Sequence, residues 1–264
     1  MNPYDPNNLF HLSGTGVMRY MTLSLPTDAV RRLLPNGIEL LKQDLTPVGT
    51  HPVMMGFHDM FRLHTSFPSL LPSMTYHEHS VGVPFCAINH PELGLVNPGP
   101  FFYMPIVMLD HLLATLGGLM FWGFAKRYAR ISGTNGRYDV AHTNGEPVLS
   151  LSYEAAGDSK PLAEHPEFEL QRQALAQTVV STFPLGMGPY FVLSDFPKHW
   201  AVATLQPLTT TLEIFSDYVL GIAPGRYPPL DTAPGTETSV LGAYMLNAPW
   251  RLSSPYPAMA GPVR

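Results

Sequence analysis

Between Val17 and Leu25 hydrophobic and polar positions alternate enough to give the period of about two that a strand requires. This segment reads as the first strand. Pro26-Thr27-Asp28 is a helix start ahead of Ala29-Val30-Arg31-Arg32-Leu33-Leu34, and Pro35-Asn36-Gly37 ends that short helix. Val53 to Leu63 is rich in Met and Phe, with His58, Asp59 and Arg62 interspersed. Thr75 to Ile88 has the β-branched and aromatic character of a partly buried strand, and the proline-broken stretch Phe67 to Pro72 reads as the loop between these two segments. Phe101 to Leu109 predicts another strand. Leu109 to Leu119 predicts a short helix with Asp110 near its start and Gly117-Gly118 at its end.

Lys126 to Ile131, Tyr138 to His142 and Val148 to Glu154 follow as strands, separated by the turn sequences Gly133-Thr134-Asn135-Gly136 and Asn144-Gly145. This is the pattern of an antiparallel meander. Leu170 to Phe183, Trp200 to Phe215 and Val240 to Leu246 continue it, joined by the Gly/Pro-rich stretches Pro184 to Pro189 and Pro224 to Pro234. With 28 prolines and 22 glycines, long helix interiors are disfavoured and turns are many. The expected architecture is mainly β (α+β): an antiparallel sheet curling into a barrel or cone, with a few peripheral helices and inward-facing residues around a cavity.

Composition narrows the picture further. A 264-residue chain that is 45% hydrophobic, without a linker-like stretch, predicts one domain spanning 1–264. Charged residues make up 13%, and a net charge of -5 is spread without any basic run, so nucleic-acid partners are not expected. The most apolar window, Phe101 to Phe124, is broken by Pro105, Asp110, His111 and Gly117-Gly118, which predicts protein core instead of a membrane span. The single cysteine, Cys86, has no internal disulfide partner, and the start MNPYDPNNLFHLSG lacks a signal-peptide pattern; a cytoplasmic location is the expectation. Low charge and many aromatic residues suggest subunit contacts, hence a homo-oligomer.

Only four lysines occur, at positions 42, 126, 160 and 198, and Lys126 alone follows a dense apolar run, Leu119-Met120-Phe121-Trp122-Gly123-Phe124-Ala125. A lysine desolvated by such a run has a lowered pKa and can attack a ketone as the free amine. The same sequence also fits a lysine whose stem packs on the core while its head reaches water. Tyr76 and Glu78 are two apart, so on a strand they share a face while His77 and His79 share the other. Glu78 beside Tyr76 could move protons at a reacting carbon, or be a rim carboxylate paired with an arginine. His77-x-His79 has metal-ligand spacing, with His51, His58, His64 and His90 near in sequence. No suitably placed carboxylate or third histidine completes a recognised pattern, and no metal is expected. Arg19, Arg62 and Arg251 are candidate carboxylate clamps. No Gly-x-Ser-x-Gly elbow, Walker motif or dinucleotide-binding glycine pattern is present.

The segment Gly118-x7-Lys126-Arg127, within Gly-Phe-Ala-Lys-Arg-Tyr-Ala, resembles the lysine motif of the acetoacetate decarboxylase-like family, where a glycine precedes the Schiff-base lysine by the same interval and a second cation follows it. Leu25-x-Thr-Asp-Ala-Val-Arg-Arg-Leu-Leu-Pro resembles that family's early helix, and Tyr76-His77-Glu78 its Tyr-x-Glu strand; the run Leu193 to Phe215 is similar in pattern. The resemblance implies a lyase that uses Lys126 as Schiff-base nucleophile on a small keto acid, without a separate cofactor. It implies Glu78 and Tyr76 beside the lysine, Arg19 on the substrate carboxylate, Arg127 as second cation, and Trp122 and Phe124 lining the site. Consecutive strand residues point to opposite faces, however, so burial should act on Lys126 more than Arg127 does. Two departures bear on the substrate. Leu119-Met120 stands where true acetoacetate decarboxylases have Arg-Glu, and Trp122 replaces a group that is polar in some related members, so a more apolar cavity is expected. Loss of carbon dioxide from a β-keto acid, aldol or dehydration chemistry on a pyruvate-type acid, and non-catalytic binding of an apolar molecule are the three functions compatible with this sequence.

Overall fold

The computed structural model describes residues 11–66, 73–134, 136–182, 191–219, 221–228 and 242–258. The predicted loops Phe67 to Pro72 and Pro184 to Pro189, and the second half of the stretch Pro224 to Pro234, lie outside these residues.

Four long strands form the centre: β1 (Leu12–Pro26), β3 (Thr50–Thr65), β4 (Met74–His90) and β5 (Leu95–Leu109), with the short β2 (Ile38–Leu40) on β4. After α2 (Leu112–Gly117) come β6 (Lys126–Tyr128), β7 (Arg130–Thr134), β8 (Arg137–Ala141), β9 (Pro147–Ala155) and β10 (Lys160–Pro161). The chain continues through α3 (Glu169–Leu175), β11 (Thr178–Thr182), β12 (Phe191–Ser194), β13 (Thr204–Ile214), β14 (Gly225–Tyr227), β15 (Ala243–Leu252) and β16 (Tyr256–Pro257). Among the described residues all sixteen strands join one sheet, along the path β16-β12-β11-β5-β4-β3-β1-β15-β13-β9-β8-β7. The two ends of this path do not pair, so the curled sheet remains open. It is antiparallel except where β5 pairs in parallel with β11 and with β6.

The period-two pattern sorts side chains onto two buried faces. Met18, Tyr20, Met54, Met60 and Tyr76 join one apolar cluster with Phe102, Phe124, Leu175 and Trp250. Met21, Leu23, Val53, Met55, Phe57, Val81 and Val83 join the other, with Tyr138 and Leu212. Because both faces of the central strands are covered, their sequences read as near-continuous apolar runs with a few polar interruptions.

Several boundaries differ from the sequence reading. The first helix, α1, is Thr27–Arg31, and Gly37 at φ 85° turns the chain after it. Leu109 and Asp110 precede the second helix: Leu109 closes β5, α2 starts at Leu112, and Gly118–Trp122 follows as a π turn. Leu170 to Phe183 is no single strand. Gln171, Ala174 and Leu175 form a buried helical face, and Glu169 pairs with Arg172 one turn on, so α3 forms before β11 begins at Thr178. Lys126 to Ile131 divides into β6 and β7, which lie in different parts of the sheet. Among the described residues no helix is long and apolar enough to cross a membrane.

Candidate active site

The site is built where β1, β3, β4 and β6 meet. His58 on β3 and Glu78 on β4 are directly opposite in the antiparallel register, which puts both side chains on one face. Met60 is opposite Tyr76, so the tyrosine joins that face two residues along. On the far side of β5, Val107 pairs with Lys126, and β6 delivers the lysine against the same wall.

The path to Lys126 is fixed by backbone hydrogen bonds. The π turn Gly118–Trp122 ends at Gly123, whose φ of 67° suits glycine and reverses the chain. Phe124 N donates to Gly118 O (3.2 Å), Ser181 Oγ donates to Trp122 O (2.6 Å), and Trp122 Nε1 donates to Ser253 O (2.8 Å). The lysine stem then passes over Gly118. A Cβ at that position would overlap Cδ and Cε of Lys126, so with any larger residue there the lysine side chain would have to shift from the position it holds.

Lys126 Nζ lies 3.2 Å from Glu78 Oε2 and 5.9 Å from the centre of the Tyr76 ring. The other carboxylate oxygen of Glu78 is 3.6 Å from His58 Nδ1. The lysine and glutamate side chains are only 9% and 11% exposed, so the pair is shielded from water. Burial by itself raises the Glu78 pKa, but the Lys126 ammonium and His58 outweigh it and hold the carboxyl at about 2. Tyr138 fixes the strands beneath, its hydroxyl donating to His58 O (2.9 Å) and Glu78 O (3.3 Å). Burial, reinforced by the nearby Glu78 charge, raises the pKa of Tyr76 and Tyr20, so both hydroxyls stay protonated.

These groups line a cavity of about 70 Å³ together with Ser80, Met104, Phe124, Gln177 and Lys198. At roughly 10–15 Å³ per water, it holds on the order of five waters or an acid of similar size. A larger apolar cleft of about 490 Å³ adjoins it, sharing Lys126, Tyr76 and Phe124 and lined by Leu113, Met120 and Trp122. Chemically, a shielded amine beside a carboxylate in an apolar chamber suits covalent capture of a carbonyl.

Lys126, Glu78, Tyr76 and Phe124 thus come together. Trp122 lines the adjoining cleft instead of the lysine cavity. Arg19 does not reach the cavity at all. Its neighbour Tyr20 faces inward, while Arg19 projects from the opposite face, 2.9 Å from Asp59 Oδ2 and stacked over Tyr153 at 4.9 Å. Arg127 likewise faces away from Lys126, donating to Tyr218 O at 3.5 Å in a separate cleft with Arg32 and Asp217. Arg62 is exposed and Arg251 donates to His11 Nδ1 (3.0 Å); neither lines the cavity. His77 is held by Asp110 at 2.8 Å, the hydrogen bond that does most to raise its pKa. His79, held near 3 by burial and hence neutral, donates from Nδ1 to Gly56 O (2.9 Å) and accepts from Tyr218 (3.0 Å). No three His, Cys, Asp or Glu residues gather as a metal site among the described residues.

Of the lining residues not legible in advance as members of one site, His58, Tyr20, Gln177 and Lys198 bear most on its chemistry. His58 and Tyr20 need the strand register. Lys198 carried a fainter signal, the aromatic residues Phe196 and Trp200 two positions to either side. Its ammonium lies 4.3 Å from the Phe196 ring centre and 5.5 Å from that of Trp200, and Nζ donates to Leu175 O at 3.3 Å. Burial lowers its pKa to about 7.

Neither protein-family models nor curated protein sequences give a match to this chain. Solved structures do. The enduracididine biosynthesis enzyme MppR, complexed with pyruvate, superposes with a TM-score of 0.59 at 16% identity, covering 95% of this chain and 90% of that one. Acetoacetate decarboxylase from Legionella pneumophila gives 0.56 at 13% identity, covering 97% and 88%. An acetoacetate decarboxylase-like enzyme from Sphingomonas wittichii RW1 gives 0.55 at 12% identity, covering 94% and 92%. The open curled sheet and its agreement with these structures over nearly the whole chain establish that this protein has the acetoacetate decarboxylase-like fold.

Proposed function

We propose that the protein is a Schiff-base-forming lyase that decarboxylates a small β-keto acid through Lys126. The observation that carries this reading is the Lys126–Glu78 pair, 3.2 Å apart and shielded in an apolar chamber. The pair holds one proton between its two members. When the lysine gives up its charge, the largest force lowering the Glu78 pKa disappears, and burial then favours a protonated carboxyl. Glu78 is therefore the acceptor that frees the amine. The amine adds to the ketone carbon; loss of water leaves a protonated imine, with Glu78 as its counter-ion. The bond from the α-carbon to the carboxylate breaks, its electron pair moving through carbon to the imine nitrogen, and carbon dioxide departs. Protonation of the enamine carbon and hydrolysis release the ketone and restore Lys126.

A second reading shares every step up to the imine. The neighbouring enzyme MppR was solved with pyruvate, and also with the condensation product of pyruvate and imidazole 4-carboxaldehyde. In an aldol or dehydration reaction Glu78 would remove a carbon-bound proton, whereas decarboxylation makes the enamine directly. Release of carbon dioxide from acetoacetate by the wild type, set against Lys126→Ala with its fold checked by circular dichroism, tests the primary reading. Turnover should fall at least about a thousandfold in the variant; turnover that survives the substitution overturns it.

A further inference from the structure

A keto acid brings a carboxylate as well as a carbonyl, and the arginines that sequence offered for it all lie off the cavity. Arg19 is engaged by Asp59, Arg127 faces another cleft, and Arg62 and Arg251 do not line the chamber. The cation that does line it, besides Lys126, is Lys198. We infer that Lys198, with Gln177 lining the same cavity, is the seat of the substrate carboxylate, so that the cavity takes compact keto acids with a single negative charge.

The surroundings of Lys198 carry this. The side chain is buried, its residue 5% exposed, where a bridge ties it to Trp250. An ammonium has three N–H donors, and among the described residues one of them finds an acceptor, the Leu175 carbonyl. Two aromatic faces cover part of the rest, and among the described residues no carboxylate forms an ion pair with it. A cation so placed is costly unless an anion arrives. Gln177 lines the same cavity. Its Oε1 accepts from Phe85 N at 2.8 Å, which fixes the amide, and its Nε2 donors have no acceptor among the described residues. Gln177 follows Leu175 by two residues at the end of α3, so the helix terminus supplies both the carbonyl that holds Lys198 and an amide that lines the same cavity.

Charge agrees with this assignment. The carboxylate and ammonium groups on the cavity wall are Glu78, Lys126 and Lys198, and the first two cancel each other. One positive charge is left when Lys198 is protonated, the form that a bound monocarboxylate stabilises and a neutral ketone does not. For a β-keto acid the contact belongs to the bound ground state and is released as carbon dioxide leaves; for a pyruvate-type acid it persists. In both cases it acts on binding of the acid.

This inference rests on Lys126 being the nucleophile, and one experiment separates the two. Wild type, Lys198→Met and Lys198→Arg are incubated with pyruvate, acetoacetate or acetone over a range of concentrations, reduced with borohydride, and the modified lysine is measured by mass spectrometry. Methionine keeps the volume and the apolar packing while removing the charge. Half-saturation by the two acids should rise at least roughly tenfold in Lys198→Met and recover in Lys198→Arg, while labelling of Lys126 by acetone stays as in wild type. Equal weakening of acids and acetone, or no change with either, overturns the carboxylate seat while leaving the Lys126 reading standing. Adducts on Lys198, or none on Lys126 of the wild type with any ketone, overturn both.

Discussion

The position of the Lys126 amine depends on a residue with no side chain. Gly118 gives the lysine stem its passage, so Gly118→Ala should push Nζ out of reach of Glu78 and lower turnover roughly a hundredfold, with little change in the folded far-ultraviolet spectrum. Wild-type turnover in that variant would remove the positional role. Glu78→Gln should lower turnover by about a hundredfold or more, since the proton acceptor is gone. The same carboxylate gives a pH signature to stability. Its pKa is depressed in the folded protein from 4.5 to about 2, so its contribution is fully present above about 4.5 and is lost as pH falls towards 2. Thermal unfolding between pH 2 and 6 should show that loss in wild type and a flatter profile in Glu78→Gln. At this scale the sequence was informative wherever a residue was chemically unusual for its neighbourhood. Lys126 after seven apolar residues stood out, as did Tyr76 and Glu78 two apart. Arg19 did not reveal its direction, because one step along a strand changes the face and Asp59, its partner, is forty positions away.

At the scale of elements, strand register is what converts scattered residues into a site. His58 meets Glu78 because β3 and β4 pair in one register, and Tyr138 on β8 ties both backbones from behind. Tyr138→Phe should lower stability by about 1 kcal/mol through the lost hydroxyl contacts, measured by urea unfolding, with a smaller effect on turnover. An unchanged midpoint would mean that the strands are held without it. Apolar runs rich in Met, aromatic and β-branched residues made the long strands legible from sequence, and turn chemistry located the meander from β7 to β9. The stretch Leu170 to Phe183 misled because a buried two-turn helix and a buried strand share the same apolar content. Where β5 pairs in parallel with β6 and β11 also escaped the sequence, as such pairings join segments with intervening helices and leave no local mark.

At the scale of the whole molecule, the open sheet buries a small charged chamber and leaves an apolar cleft outside it. Leu113, Leu116, Met120 and Phe121, each more than two-fifths exposed, line that cleft next to Lys126. Ketones with an alkyl tail should therefore compete for Lys126 better than acetone, by roughly tenfold for two or three added methylenes; equal competition would detach the cleft from the site. Leu119-Met120 and Trp122, where this chain departs from the motif it resembles, had indicated an apolar cavity, but the division into chamber and cleft depends on the turn at Gly118–Trp122 and on helix α2, whose boundaries sequence did not give. The expectations for turnover and competition depend on covalent capture of a carbonyl by Lys126. The most direct test is borohydride reduction in the presence of acetoacetate or pyruvate followed by peptide mass spectrometry. A reduced adduct on Lys126, absent from Lys126→Ala, is expected; folded protein that takes no adduct there from either ketone would overturn covalent capture by this lysine.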